Sequence, residues 1–303
     1  MKKLLSIVVP VYNEEENINL FYQEVVKEFK KIKNYNYEII YVIDPSIDNT
    51  FVNVKELNIK DKKVKYILMA NRFGKEASMF AGLKKAKGDL VSIMDVDLQD
   101  PPEVLIDMIK YIDEGYDSVC ARRTNRKGEP PIRSFFSNIF YHLMNKTSNI
   151  KMLPGTRDFR LMTRRMVDKV LLSKEKNRFL KAIYAFTGFN TKYIEYKNVE
   201  RKKGKTKWSF FGLYKYAKTC IYGFTELPLV IVNYLSIFMF ISTIIMFLIY
   251  FILNMNNTYL IINFMMLFTS IILFSISIGL EYLYRIFIEV KEKPLYVIMD
   301  ESD

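Results

Sequence analysis

Asp95 and Asp97 stand one residue apart where an aliphatic run, Leu90-Val91-Ser92-Ile93-Met94, gives way to Leu98-Gln99-Asp100-Pro101-Pro102-Glu103. Two carboxylates at the end of a buried strand cannot both sit in an apolar core without a cation. A hard divalent ion such as Mg²⁺ or Mn²⁺, bridging to phosphate oxygens, would satisfy them. A solvated acidic loop would satisfy an Asp-x-Asp spacing equally well, so the pair alone leaves both readings open.

The elements around the pair bear on that choice. Short aliphatic runs predict strands over residues 4–11, 37–43, 64–68, 89–94 and 118–121. Amphipathic stretches over 15–31, 49–58, 75–86, 102–114 and 132–145 predict helices between them. Strands separated by helix-length segments imply right-handed crossovers and a mostly parallel, doubly wound α/β sheet. Ligands of such sheets sit beyond the carboxyl ends of the strands. Asn13-Glu14, Asp44 and Asp95/Asp97 all fall at that end, which favours a site over a loop. Further on, 156–162 reads as a strand, with helices over 166–172 and 177–186.

Composition narrows the partners. A net charge of +12 beside 50% hydrophobic and 15% aromatic residues favours a polyanionic partner: nucleic acid, anionic lipid or a phosphorylated substrate. No nucleic-acid motif is present, and the basic residues gather beside the apolar third of the chain, so nucleic acid is set aside. Cys120 and Cys220 have no zinc or CxxC spacing and read as unpaired thiols of a reducing compartment. His142 lies in a periodic apolar segment and reads as a packing or surface residue. The start, Met1-Lys2-Lys3-Leu4-Leu5, fails as a signal peptide because its apolar stretch is short and runs into Tyr12-Asn13-Glu14-Glu15-Glu16.

Residues 227–280 contain no charged side chain, enough for two membrane helices of ~20 residues each. The expected spans are 229–253 and 259–280, joined by the polar Asn254-Met255-Asn256-Asn257-Thr258. Arg201, Lys202, Lys203, Lys205, Lys207, Lys215 and Lys218 precede them; Arg285, Lys291 and Lys293 follow. The hairpin has no Lys or Arg, so both termini are expected in the cytoplasm of a multi-pass cell-membrane protein. The chain divides into four parts: a catalytic domain over 1–207, an amphipathic interfacial helix over 208–226, the two spans over 227–280, and a cytoplasmic tail over 281–303. The tail is expected to return to the catalytic domain or to a neighbouring subunit, and a homo-oligomer is expected.

Five motifs occur in order: Val9-Pro10-Val11-Tyr12-Asn13-Glu14, Asn71-Arg72-Phe73-Gly74-Lys75-Glu76, Asp95-Val96-Asp97-Leu98-Gln99-Asp100-Pro101-Pro102, Asp158-Phe159-Arg160-Leu161 and Gly204-Lys205-Thr206-Lys207-Trp208. Together they resemble family 2 glycosyltransferases of the polyprenyl-phosphate branch, which includes bactoprenol glucosyltransferases and dolichol-phosphate mannose synthases. The resemblance implies a GT-A fold, a nucleotide-sugar donor, Mg²⁺ or Mn²⁺, and a polyprenyl phosphate acceptor in the membrane. It implies that Asp95, Asp97 and Gln99 hold the metal, and that Pro10, Tyr12, Glu14, Asp44, Lys75 and Asp95 surround the nucleotide sugar. Where many relatives carry Asp-Asp-Gly-Ser, this chain has Asp44-Pro45-Ser46, which alters backbone freedom at the nucleoside pocket. A UDP-hexose is the favoured donor.

Asp97 and Asp158 are the catalytic candidates. Asp158 reads either as a base or as a carboxylate paired with Arg157 or Arg160. A lipid monophosphate with a second pKa near ~6 is already dianionic and nucleophilic, so Asp158 would mainly orient acceptor or sugar. Arg122, Arg123 and Arg126 follow a strand, and Arg133 and Ser137 share a helix face at i,i+4. By resemblance this region and Lys205 bind the acceptor phosphate; a solvated basic face remains the alternative, and Lys205 and Lys207 would equally serve lipid head groups. A processive polysaccharide synthase would carry Gln-x-x-Arg-Trp, yet the two glutamines here, Gln23 and Gln99, do not begin it. A silent membrane scaffold would have lost Asp95, Asp97 and Asp158.

Overall fold

Alternation along the first aliphatic run sets the layers of the molecule. Leu5, Ile7, Val9 and Val11 pack to one side of the strand and Val8 to the other, as period-two side chains must. The structure, a computed structural model, describes residues 2–32, 34–123, 131–148, 153–173, 175, 178–196, 217–222, 225, 227–253 and 258–303. In chain order the elements are β1 (Lys3–Val11), α1 (Glu15–Phe29), β2 (Tyr35–Ile43), α2 (Thr50–Lys60), β3 (Val64–Met69), α3 (Lys75–Lys85), β4 (Leu90–Ile93), α4 (Val104–Asp113) and β5 (Ser118–Arg123). The chain continues through α5 (Pro131–Thr147), β6 (Thr156–Thr163), α6 (Arg164–Leu171), α7 (Leu180–Phe186), β7 (Thr191–Tyr196), α8 (Leu227–Leu253), α9 (Thr258–Val290) and β8 (Ile298–Glu301).

The strands form one 8-stranded sheet in the order β7-β5-β6-β4-β1-β2-β3-β8. β6 and β8 run antiparallel to their neighbours, and the other described pairings are parallel. This is the mostly parallel, GT-A-like α/β sheet that the resemblance implies. Phe21, Val25, Val54, Leu57, Leu105 and Met108 from α1, α2 and α4 fill one face. Met79, Leu83, Met166, Val170, Leu180 and Ile183 from α3, α6 and α7 fill the other. The reversal of β6 brings its amino end to the same edge as the carboxyl ends of β4 and β5, with Arg122 opposite Thr156.

One strand was not expected from the sequence, and another shows where the expected returning tail docks. β7 escaped the sequence reading because Thr191-Lys192-Tyr193-Ile194-Glu195-Tyr196 lies at the sheet edge, where charges interrupt the apolar pattern. β8 gives the tail its docking place in this same chain. It pairs with β3, Tyr66 Oη donates to Asp300 at 3.0 Å, and Lys85 meets Glu301 at 2.9 Å.

α8 and α9 contain the two expected spans, and α9 continues past residue 280 to Val290. Among the described residues one segment, Leu267–Val290, is both long and apolar enough to cross a membrane; Val230–Met239 is apolar but shorter. Two crossings are therefore not established by that measure. The expected interfacial helix lies mostly outside the described residues, but 217–222 is helical. There Cys220 is buried with Met144, Phe179 and Ala182, and burial pushes its thiol pKa up to about 12. Lys218 meets Glu281 at 3.0 Å, and Glu281 also pairs with Arg285 at 3.1 Å.

Gly82 shows how closely α3 lies on the sheet. A β-carbon there would stand 2.2 Å from Val8 Cγ1 and 3.0 Å from Val42 Cγ2. Gly82→Ala is expected to destabilise the domain by about 1–3 kcal/mol through overpacking. Denaturant unfolding should show a lowered midpoint; a wild-type midpoint would contradict this packing.

Candidate active site

The loops after β1 and β2 are tied together before any ligand arrives. Ser46 Oγ accepts from the Asn13 N–H at 3.0 Å, Asn13 Oδ1 accepts from Ile47 N–H at 2.9 Å, and Thr50 Oγ1 accepts from Glu14 N–H at 2.8 Å. Asn13 takes a left-handed backbone with φ 52°, which brings this turn back over the strand end. Glu14 also accepts from Asn17 Nδ2 at 2.7 Å. Pro10 is half-buried opposite Val42, and Tyr12 lies under the Arg72 guanidinium, 4.1 Å from the ring centre.

Asp44 is buried at the end of β2 and accepts from the Gly74 N–H at 3.0 Å. Burial raises its pKa, although the backbone N–H groups of Gly74 and Phe73 pull the other way. Gly74 has φ +88°, a conformation glycine adopts without strain, and it opens α3. Thus Asp44 holds the turn that delivers Lys75, the first residue of α3.

The Lys75 ammonium lies 2.6 Å from Asp95 Oδ1 and 2.6 Å from Asp158 Oδ2. Residues from the end of β4 and the start of β6 therefore share one cation. Burial works against charge on Lys75, but Asp158 and Asp95 raise its pKa. Burial likewise disfavours the Asp158 anion, yet Lys181, Lys75 and Arg157 hold its carboxyl well below the usual range. Lys181, on α7, places its Nζ 3.6 Å from Asp158 Oδ1.

Asp158 is thus paired with neither arginine considered from the sequence. Arg160 bonds Ser118 at 3.1 Å and stacks on Tyr184. Arg157 points elsewhere, because neighbours on a strand face opposite ways. Its Nε meets Asp100 Oδ1 at 3.2 Å and its Nη2 donates to Gln99 Oε1 at 3.3 Å. Asp100 is 1% exposed and also accepts from Tyr196 Oη. The side-chain oxygen of Gln99 is thereby engaged, and ligation by it would require release from Arg157.

Asp97 is buried, and its Oδ1 accepts from the Gln99 N–H at 3.1 Å. Leu98 between them has φ 56°, so the loop folds back on itself. No cluster of three or more His, Cys, Asp or Glu suited to a metal occurs among the described residues. The donors expected from the sequence that remain are two neighbouring carboxylates, Asp95 and Asp97. That suits Mg²⁺ or Mn²⁺, which keep water and take substrate phosphates rather than filling an all-protein cage.

On the acceptor side, Arg122 ends near the same edge but is engaged: its Nη1 meets Glu195 at 3.2 Å and its Nε donates to Pro154 O at 3.1 Å. Ser137 is half-buried on α5. Arg123 closes β5 and Arg133 lies in α5, but their side chains lie outside the described residues, as do Arg126, Lys205 and Lys207 altogether. Lys181, Arg157, Asp100 and Tyr196 were not singled out as site residues from the sequence. The charged Arg157 and Lys181 among apolar strand and helix residues were the available signal.

A model of the glycosyl transferase family 2 matches residues 6–171, which contain Asp44, Lys75, Asp95, Asp97 and Asp158. The chain belongs to glycosyl transferase family 2. Relatives extend the likeness over the apolar helices as well. The transferase is 38% identical to Bacillus subtilis CsbB, provisionally named a glycosyltransferase, over 99% of this chain and 92% of that protein. It is 36% identical to the bactoprenol glucosyl transferase of Shigella phage SfV, over 98% of this chain and 99% of that protein. Among solved structures, the Pyrobaculum calidifontis mannosyltransferase PcManGT, in complex with GDP-Man and Mn²⁺, aligns with a TM-score of 0.47 and 18% identity, over 68% of this chain and 59% of that one.

The Asp158 pKa lies below its unfolded value near ~3.9, so its contribution to stability is present above that pH and lost as pH falls through the folded value. The Lys75 pKa lies above ~10.4, so its contribution is present below that and lost only in strong alkali. Lys75→Met leaves Asp158 with less positive charge and raises its pKa. Thermal melts between pH 3 and 7 should therefore show the variant less stable than wild type at neutral pH and with a shallower loss on acidification, because less of the Asp158 contribution remains to be lost. Superimposable acid limbs would show that Lys75 does not set the charge state of Asp158.

Proposed function

We propose that this glycosyltransferase moves a single sugar, a hexose from a UDP-sugar, onto a polyprenyl phosphate such as undecaprenyl phosphate at the cytoplasmic face of the cell membrane. The observation that carries the proposal is the full-length likeness to proteins named bactoprenol glucosyl transferases, spanning both the catalytic sheet and the apolar helices. It is supported by the outward-facing apolar side chains of α8 and α9, such as Ile231, Ile237, Leu273 and Ile276, which a soluble core would hide. In this reading the catalytic domain spans 1–207, 208–226 lies along the membrane, α8 and α9 both cross it, and the tail from 281 remains cytoplasmic.

The chemistry follows from the charges. A phosphate oxygen of the acceptor attacks the anomeric carbon from the side opposite the nucleotide. The new carbon–oxygen bond forms as the bond to the diphosphate breaks, and configuration inverts. Asp95 and Asp97 would hold Mg²⁺ or Mn²⁺, which as a Lewis acid neutralises charge growing on the leaving diphosphate. Tyr12, Glu14 and the Asp44-braced turn would receive the nucleoside, with Pro10 beneath. Asp158, kept ionised by its cations, is a poor base, and it orients the sugar or acceptor instead. Arg122, Arg123, Arg133, Ser137 and Lys205 would surround the acceptor phosphate.

The full chain in detergent, given Mn²⁺ or Mg²⁺, undecaprenyl phosphate and a panel of nucleotide sugars, should yield a lipid-linked monosaccharide. Asp95→Ala and Asp97→Ala should each lower that turnover at least ~100-fold, as expected for lost stabilisation of a leaving group. No product with any donor would overturn the proposal, and full activity in both variants would overturn the metal assignment. The pH–rate profile separates the two roles of Asp158. Its acid limb should fall near pH ~6, where the acceptor phosphate takes up its second proton. A limb that moves in Asp158→Asn would make Asp158 the base.

A further inference from the structure

Asp158 has two sides. Its Oδ2 faces Lys75, which also holds Asp95 of the nucleotide-side loop. Its Oδ1 faces Lys181, whose Nζ donates to the Thr156 carbonyl at 3.1 Å. An ammonium has three N–H donors, and the carbonyl takes one. The distance of 3.6 Å to Asp158 is an ion pair rather than a hydrogen bond, and among the described residues no other hydrogen bond involves Lys181. The side chain is 22% exposed, so its free N–H groups remain within reach of a ligand.

The surroundings of Lys181 indicate which ligand. Phe179, two residues before it, is 2% exposed and packs edge-on against Phe140 of α5 at 6.3 Å between ring centres. The start of α7 is thereby fixed against α5, the helix that also carries Arg133 and Ser137. Lys75 holds Asp158 Oδ2 while Lys181 stands beside Oδ1, and Tyr141 of α5 lies close enough to act on the Lys181 charge. An anion arriving beside Oδ1 would meet that ammonium as well as the carboxylate. The pairing also removes a difficulty, since a dianionic acceptor approaching an ionised aspartate would otherwise be repelled.

We propose that Lys181 is a binding residue for the acceptor phosphate, receiving it beside Asp158 Oδ1. The inference rests on the lipid-phosphate reading of the acceptor and adds a residue to it. Lys181 screens the like charges of acceptor and Asp158 and leaves the nucleotide sugar to Lys75 and the Asp95 loop. Loss of its charge therefore weakens one substrate selectively.

Lys181→Gln keeps an N–H for the Thr156 carbonyl and removes the charge; Lys181→Arg keeps the charge. In steady-state assays of the full chain, Lys181→Gln should raise KM for the polyprenyl phosphate about tenfold or more, the size of a lost charge-assisted hydrogen bond. KM for the nucleotide sugar should stay within about twofold, and Lys181→Arg should recover most of the loss. Calorimetric titration supplies a reading independent of turnover. Farnesyl phosphate should bind wild type about tenfold more tightly than Lys181→Gln, while farnesol should not distinguish them. A selective rise in donor KM would move Lys181 to the nucleotide side and overturn the inference. Equal losses for both substrates, with a lowered unfolding midpoint and no recovery in Lys181→Arg, would make its role structural and also overturn it. If wild type forms no lipid-linked sugar, the acceptor reading itself fails, whereas an unchanged farnesyl phosphate affinity in an active Lys181→Gln protein rejects Lys181 alone.

Discussion

One ammonium shared by two carboxylates organises the centre of this transferase. Lys75 joins Asp95, from the end of β4, to Asp158, from the start of β6, at 2.6 Å each. Without a cation between them, two partly buried carboxylates would repel and one would take up a proton. The rest of the edge serves that contact. Asp44 grips the N–H groups of the 73–74 turn, Gly74 supplies the left-handed backbone, and α3 then starts with Lys75 already in place. The close approach of α3 to β1 and β2 at Gly82 holds the helix at the depth this geometry needs.

The surrounding charges divide the labour. Asp158 sits among Lys75, Lys181 and Arg157 and stays ionised, which suits it to binding and orientation rather than to proton abstraction. Arg157 holds the far end of the Asp95–Asp100 loop through Asp100 and Gln99, and Tyr196 steadies the same Asp100 from β7. The chain belongs to glycosyl transferase family 2, and in the proposed function this arrangement reads as an acidic loop for a nucleotide sugar beside a cationic corner for an anion. The apolar helices and the returning β8 connect that corner to the part of the chain proposed to meet lipid.

Much of this was legible in the sequence, for identifiable reasons. Aliphatic runs buried on both sides marked β1, β2 and β4, and their ends marked Asp44, Asp95 and Asp97, because parallel sheets gather ligands there. Asp158 was recognisable through its motif, but its partners were not. Period-two geometry turns Arg157 away from it, and Lys75 and Lys181 reach it across more than twenty residues of chain in either direction, a closure that only the fold determines. Lys181 carried only a weak local signal, a single charge among the apolar residues of a short helix, which a surface lysine would give as well. β7 was hidden by its edge position. The docking of β8 on β3, rather than elsewhere, depended on which sheet edge stood open. The two-span reading of residues 227–280 remains a proposal beyond the one segment, Leu267–Val290, that meets the requirement among the described residues.

The central claim is that Lys75 and Asp158 act as one coupled unit. A double-mutant cycle of Lys75→Met and Asp158→Asn, read as unfolding free energy at neutral pH, measures that coupling directly. The shared-cation account expects the double variant to lose less than the sum of the single losses, with an interaction energy of about 1–3 kcal/mol. Losses that add within ~0.5 kcal/mol would mean that the two residues are independent, and would contradict the account.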